Sequence, residues 1–90
     1  MAYRLKILPR AENDLNNIFD YIFTESLEES IAQNMIDNIL RSIETLSTFP
    51  KRWPEFQEYR QMIVGKYNVI YRIDGDLIQI IRVKHSAQYQ

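Results

Sequence analysis

The sequence predicts an α+β domain: an N-terminal strand, an antiparallel helical hairpin, then a three-stranded antiparallel sheet. Three observations lead there. Apolar residues alternate over the first few positions and switch to a helical period after Pro9. Two amphipathic helical stretches follow one another across a short link, which implies an antiparallel hairpin. The last third divides into three alternating segments, and the only two glycines fall at the divisions.

Tyr3-Arg4-Leu5-Lys6-Ile7-Leu8 alternates apolar and basic residues, the pattern of a half-buried strand with Tyr3, Leu5 and Ile7 on one face. Pro9 ends it. From residue 10 to about 24, Ala11, Leu15, Ile18, Phe19 and Ile22 form one helical face, and Glu12, Asn13, Asn16, Asn17 and Asp20 form the other. Ser26-Leu27-Glu28-Glu29 has capping-box spacing, in which Ser26 caps the Glu29 amide and Glu29 reaches back. Acids there also suit the positive end of a helix dipole. The second helix carries Ile31, Ala32, Met35, Ile36, Ile39, Leu40, Ile43 and Leu46 as one stripe, and Phe49-Pro50 ends it. Pro50-Lys51-Arg52-Trp53-Pro54-Glu55-Phe56 reads as a loop, because its two prolines oppose regular structure. Strands are expected near 59–64, 67–73 and 77–84, with hairpin turns at Gly65-Lys66 and Asp74-Gly75.

Two-residue turns fix a register. Across Gly65-Lys66, Val64 faces Tyr67 and Met62 faces Val69; across Asp74-Gly75, Ile73 faces Asp76 and Tyr71 faces Ile78. One face then collects Met62, Val64, Tyr67, Val69, Tyr71, Ile73, Ile78 and Ile80, with Arg60 and Arg82 toward its ends. It should receive the helices. The other collects Tyr59, Gln61, Ile63, Asn68, Ile70, Arg72, Leu77, Gln79, Ile81 and Val83. That mixture suits a surface covered part of the time by a partner. A three-residue turn at Asp74-Gly75-Asp76 would flip the last strand.

A chain of 90 residues fits one domain, spanning 1–90. Its 46% hydrophobic content is enough for a core and too much for a disordered chain. No apolar run is long enough to span a membrane, and Met1-Ala2-Tyr3-Arg4 starts no signal-peptide pattern. The absence of cysteine removes disulfides and thiol catalysis and fits a cytoplasmic protein. Net charge is −1, so any nucleic-acid contact must come from a local patch, not a global field. Both glycines are assigned to turns, which leaves none for a phosphate-cradling loop. One histidine and no cysteine cannot build a usual zinc site, and Asp74-Gly75-Asp76 lacks the other ligands of a calcium loop. Ser86 adjoins His85 with no sign of an oxyanion hole. No cofactor and no metal are expected.

The segment Arg60…Val64-Gly65-Lys66-Tyr67-Asn68-Val69-Ile70-Tyr71-Arg72-Ile73, with Ile80-Ile81-Arg82-Val83-Lys84-His85, resembles the RelE/ParE toxins of bacterial type II toxin–antitoxin pairs. The opening agrees: Pro9, Ala11, Asp14, Leu15, Ile18 and Tyr21 match the family's P-x-A-x-x-D-L-x-x-I-x-x-Y pattern. The resemblance covers nearly the whole chain. It implies a growth inhibitor neutralised by a cognate antitoxin that wraps over its grooves and sheet, usually in a hetero-oligomer. RelE-like members cut mRNA in the ribosomal A site, whereas ParE-like members poison DNA gyrase without nuclease chemistry.

RNA cleavage through the 2′-hydroxyl needs a base, a cation for the phosphorane and an acid for the leaving oxygen. RelE-like toxins usually keep an arginine where this chain has Asn68, and a lysine-rich strand where Tyr59-Arg60-Gln61-Met62-Ile63-Val64 has one cation. The ending Arg82-Val83-Lys84-His85 is closer to the ParE pattern R-V-L-H. The resemblance therefore favours a ParE-like gyrase poison. The alternatives are a RelE-like mRNA endonuclease and an inactive module that only binds antitoxin. If the chain is RelE-like, Arg60, Arg82 and His85 are the implied catalytic residues. Trp53, Asn68, Arg72, Lys84 and Tyr89 are the candidates for contact with target or antitoxin. Each also has a plain role open to it. Arg82 can pair with a helix acid such as Asp14 or Asp20, and Arg60 can be structural too. His85 can end its strand in a hydrogen bond, Trp53 can act as a hydrophobic latch, and Tyr89 can be a chain end.

Overall fold

The computed structural model describes residues 3–86. The elements are β1 (Arg4–Ile7), α1 (Pro9–Ser26), α2 (Glu29–Thr45), β2 (Glu55–Phe56), β3 (Tyr59–Val64), β4 (Tyr67–Asp74) and β5 (Leu77–His85). The strands form one sheet in the order β1-β5-β4-β3-β2. β1 runs parallel to β5, with Leu5 opposite Ile78 and Ile7 opposite Ile80, so the sheet is mixed and five-stranded. The expectation of three antiparallel strands thus holds for β3, β4 and β5, and the sheet is wider than expected. Pro54 precedes β2, which pairs with β3 for only two residues. The segment read as a loop therefore contributes a short edge strand.

Pro9 begins α1 and does not merely stop β1. Its fixed φ suits the first helical position, where its missing N–H has no intrahelical partner in any case. α1 extends to Ser26, two residues past the expected end, and Leu27 reverses the chain in the left-handed region at φ 58°. The capping box does not form. The N-cap of α2 is Glu28, with no side-chain cap. The Ser26 hydroxyl instead donates to the Ile22 carbonyl at 2.8 Å and accepts the Glu28 amide at 3.2 Å. Ser26 still belongs to the first helix, which leaves it two residues short of the role.

The helices cover one face of the sheet. Ala11 and Leu15 of α1, Ile36, Ile39 and Ile43 of α2, and Leu46 just past it, are buried against Met62, Val69, Tyr71, Ile78 and Ile80. The stripe on α2 begins at Ala32, and Ile31 is exposed, contrary to expectation. The loop after α2 is tied down from below: the buried Tyr71 hydroxyl donates to the Pro50 carbonyl at 2.7 Å.

The β3–β4 register is the expected one. The β4–β5 register is shifted by two positions: Asp74 pairs with Leu77, and Tyr71 with Ile80. The loop is Gly75-Asp76, with Gly75 at φ +61° in the position a type II′ turn reserves for glycine. A shift of two preserves the faces. A bulge does not. Tyr71 pairs with Ile80 but Ile70 with Arg82, so Ile81 is left between. Beyond the bulge the alternation flips, which sets Val83 beside Val69 in the core and pairs Arg82 with Ile70. The expectation placed Val83 outside and Arg82 inside.

Candidate functional site

Asp14, Asn17, Ile18 and Tyr21 are spaced i, i+3, i+4 and i+7, so they share one face of α1. That face looks across the end of β5, beyond the point where β1 stops. β5 therefore has an open edge there, and Asp14 closes it. Its Oδ2 accepts the Val83 amide at 2.9 Å and Arg82 Nε at 2.7 Å, and its Oδ1 accepts Arg82 Nη2 at 3.1 Å. The carboxylate does for the strand edge what a neighbouring carbonyl would do, and it clamps the guanidinium in bidentate fashion. Burial pushes the Asp14 carboxyl up, but the hydrogen bonds from Arg82 and Val83 and the charges of Arg82 and Arg10 outweigh it, so it sits below the ordinary carboxylate range.

Around this pair lies a cleft of about 470 Å³, lined by Asp14, Asn17, Ile18, Tyr21, Tyr67, Arg82, Val83 and His85. The His85 ring stands edge-on to Tyr67, with centroids 5.2 Å apart. Burial, with the neighbouring Tyr21, pushes the Tyr67 phenol above its ordinary pKa. The strand end is anchored by Ser86, whose amide and hydroxyl both donate to the Lys66 carbonyl.

Arg60 and Trp53 belong elsewhere. They line a second hollow, of about 640 Å³, at the β2–β3 edge with Phe56, Tyr59, Ile63 and Ile70. Arg60 donates to the Trp53 carbonyl at 2.6 Å and lies 3.5 Å from the Glu55 carboxylate. Arg52 sits over the Trp53 ring, 5.6 Å from its centroid.

The structure thus brings Arg82 and His85 together and leaves Arg60 apart. Arg60 is level with Tyr71 on the sheet and His85 with Tyr67. Four residues of strand separate those levels, roughly 13 Å. Asn68 is buried between Ile63 and Lys84 in the ladder. Arg72 and Lys84 lie on the face away from the helices, half-buried. Tyr89 lies outside the described residues. Asp14, Asn17, Tyr21 and Tyr67 line the cleft but were not singled out as site residues from sequence. The signal is in the opening motif, whose Asp14 and Tyr21 stand seven residues, two helical turns, apart on one face. Among the described residues no three His, Cys, Asp or Glu side chains cluster to hold a metal, and no helix is long and apolar enough to cross a membrane.

Residues 5–89 match the family model described as the ParE toxin of type II toxin–antitoxin systems, parDE. No curated protein matches. Among solved structures, the chain is similar to one from the chromosomal ParDE toxin–antitoxin system of P. aeruginosa, with a TM-score of 0.82 and 21% identity over 93% of this chain and 96% of that one. It is similar to a chain of a RelBE toxin–antitoxin complex from Mycobacterium tuberculosis, with a TM-score of 0.64 and 21% identity over 94% of this chain and 99% of that one. It is also similar to a chain of the RelB–RelE antitoxin–toxin complex from Methanococcus jannaschii, with a TM-score of 0.56 and 18% identity over 92% of each chain. At these identities the likeness bears on the fold.

Proposed function

The chain belongs to the ParE toxins of type II toxin–antitoxin systems, and from that premise we propose that it arrests growth by binding DNA gyrase, not by cutting RNA. One observation carries the choice: the arginines a nuclease would need are engaged in separate structural roles. Arg82 is held by Asp14 in a pair whose side chains are only 23% and 13% exposed. Arg60 holds the Trp53 loop from β3, on the far side of β4 from Arg82. A cation already neutralised by a carboxylate stabilises a phosphorane poorly. Where nuclease relatives keep an arginine, Asn68 offers a buried amide. The histidine is then an aromatic partner of Tyr67 that closes the strand end.

In this proposal the cognate antitoxin covers the hollow beside Trp53, where Phe56 and Ile63 are exposed at the sheet edge. Arg72 and Lys84 meet target or antitoxin on the outer face. The alternative, a RelE-like endoribonuclease, is favoured by the shared cleft of Arg82 and His85.

Induced expression with parallel readouts of DNA damage and translation separates the two. A gyrase poison gives filamentation and DNA damage, and a His85→Ala variant that melts like the wild type stays toxic. Ribosomal A-site cuts that disappear with His85→Ala would overturn the proposal. No growth defect would leave only an inactive antitoxin-binding module.

A further inference from the structure

Charge is divided between the layers of the fold. Residues 9–45, which hold both helices, carry eight acids and two bases, whereas the rest of the chain carries nine bases and four acids. The net charge of −1 hides this division. Four of those nine bases, Arg4, Lys6, Arg72 and Lys84, fall on the outer face of the sheet. Leu5 and Ile7 pack against the core, so Arg4 and Lys6 take the opposite face. Lys6 pairs with Gln79, and Gln79 with Arg72. The same face continues to Tyr59, which pairs with Phe56. This row crosses all five strands, so Lys6 and Phe56 are roughly 19 Å apart at the usual strand spacing. Lys84, opposite Asn68, adds a cation about 13 Å further along the strands. Arg4 is matched by Asp76 at the turn end, and Asp74 lies on the same face two residues, roughly 7 Å, from Arg72.

We propose that this outer face binds single-stranded nucleic acid. Lys6, Arg72 and Lys84 take phosphates, and Tyr59 and Phe56 take bases by stacking. The rings are on offer: Phe56 is 76% exposed and Tyr59 43%. Spaced cations beside exposed rings are the elements of a sequence-tolerant single-strand site. An acidic protein segment would satisfy the cations but leave the planar rings without a matching partner. The acidic helical layer gives no long-range attraction, so binding is weak and strongly salt-dependent. Phe56 and Tyr59 also line the hollow proposed for the antitoxin, so the two ligands exclude each other there. The inference stands apart from gyrase poisoning, because it concerns a surface and not the target enzyme.

The test is fluorescence anisotropy of a short labelled oligothymidylate and its oligouridylate counterpart across a salt series. Binding of either supports the proposal, and the tighter one identifies the source. Three phosphate contacts predict a slope of about −2 in log affinity against log salt. Lys6→Glu with Arg72→Glu should weaken binding at least tenfold and flatten that slope (about 0.7 per lost contact). Phe56→Ala with Tyr59→Ala should weaken it about tenfold with the slope unchanged. Arg41→Glu, exposed on α2, should change nothing. Each variant is compared only if it keeps the wild-type melting temperature. The proposal fails if neither oligonucleotide binds at the lowest salt or if Arg41→Glu weakens binding as much as the sheet variants. It also fails if an oligoglutamate of equal charge binds as tightly and ignores the loss of both rings.

Discussion

Replacing Asp14 by alanine removes three hydrogen-bond contacts and the counter-charge of Arg82 in one step. Hydrogen bonds to charged groups contribute about 1.5–3 kcal/mol each, and breaking a fully buried ion pair costs about 3–5 kcal/mol. Arg82 retains 23% side-chain exposure, so water reaches the orphaned guanidinium and the lower end applies. The expected loss is about 3 kcal/mol, which for a domain of this size lowers Tm by roughly 12–24 °C. Asp14→Asn keeps one oxygen for the Val83 amide and should lose about half as much. A double-mutant cycle with Arg82→Met should return a coupling of about 2 kcal/mol. The same carboxylate shapes the acid limb. Its folded pKa is depressed, so its contribution is present above the unfolded pKa and is lost as pH falls through the folded value, from about pH 4 downward. Asp76, lowered by the hydrogen bond and charge of Arg4, has the same sign, so the comparison is wild type against Asp14→Asn with Asp76 intact. Thermal melts from pH 2 to 7 (about half-unit steps) read both effects. A fall in Tm under about 3 °C for Asp14→Ala would refute the strand-edge role, as would an acid limb unchanged in Asp14→Asn.

Tyr71→Phe leaves the Pro50 carbonyl without its donor and should cost about 1–2 kcal/mol by urea denaturation. Burial raises the Tyr71 pKa despite the opposing charge of Arg60, so wild-type stability should fall as pH rises above about 10, and Tyr71→Phe should soften that fall. Leu27 is 79% exposed and left-handed, so Leu27→Gly should raise stability by about 1 kcal/mol in the same assay. Gly75→Ala meets open space but a positive φ; a loss of about 1 kcal/mol is expected, with Gly75→Asn in between.

The elements were legible because periodicity is local. Helix faces, the three hairpin strands and their core side follow from which positions are apolar. What was not legible depends on distant or added residues. β1 pairs in parallel with a strand some 70 positions away, and nothing in Arg4–Ile7 itself names that partner. The Ile81 bulge reverses the last four residues of β5 because one residue is unpaired, which no alternation pattern reveals. The capping box failed because α1 ran on through Ser26. Within the site, the pairing of Arg82 with a helix acid was open to Asp14 or Asp20. The free β5 edge selects Asp14, and that edge exists only once β1 has stopped short. The burial of Asn68 also depends on both neighbouring strands.

In the proposed function this toxin acts by binding, with its arginines committed to structure. Supercoiling by purified gyrase, titrated with purified toxin, tests it most directly, beside a translation extract scored for A-site cuts. The proposed function predicts that supercoiling is lost and restored by the cognate antitoxin, that His85→Ala inhibits like the wild type, and that mRNA stays whole. Unaffected supercoiling at large toxin excess, with mRNA cut in the A site, would contradict it.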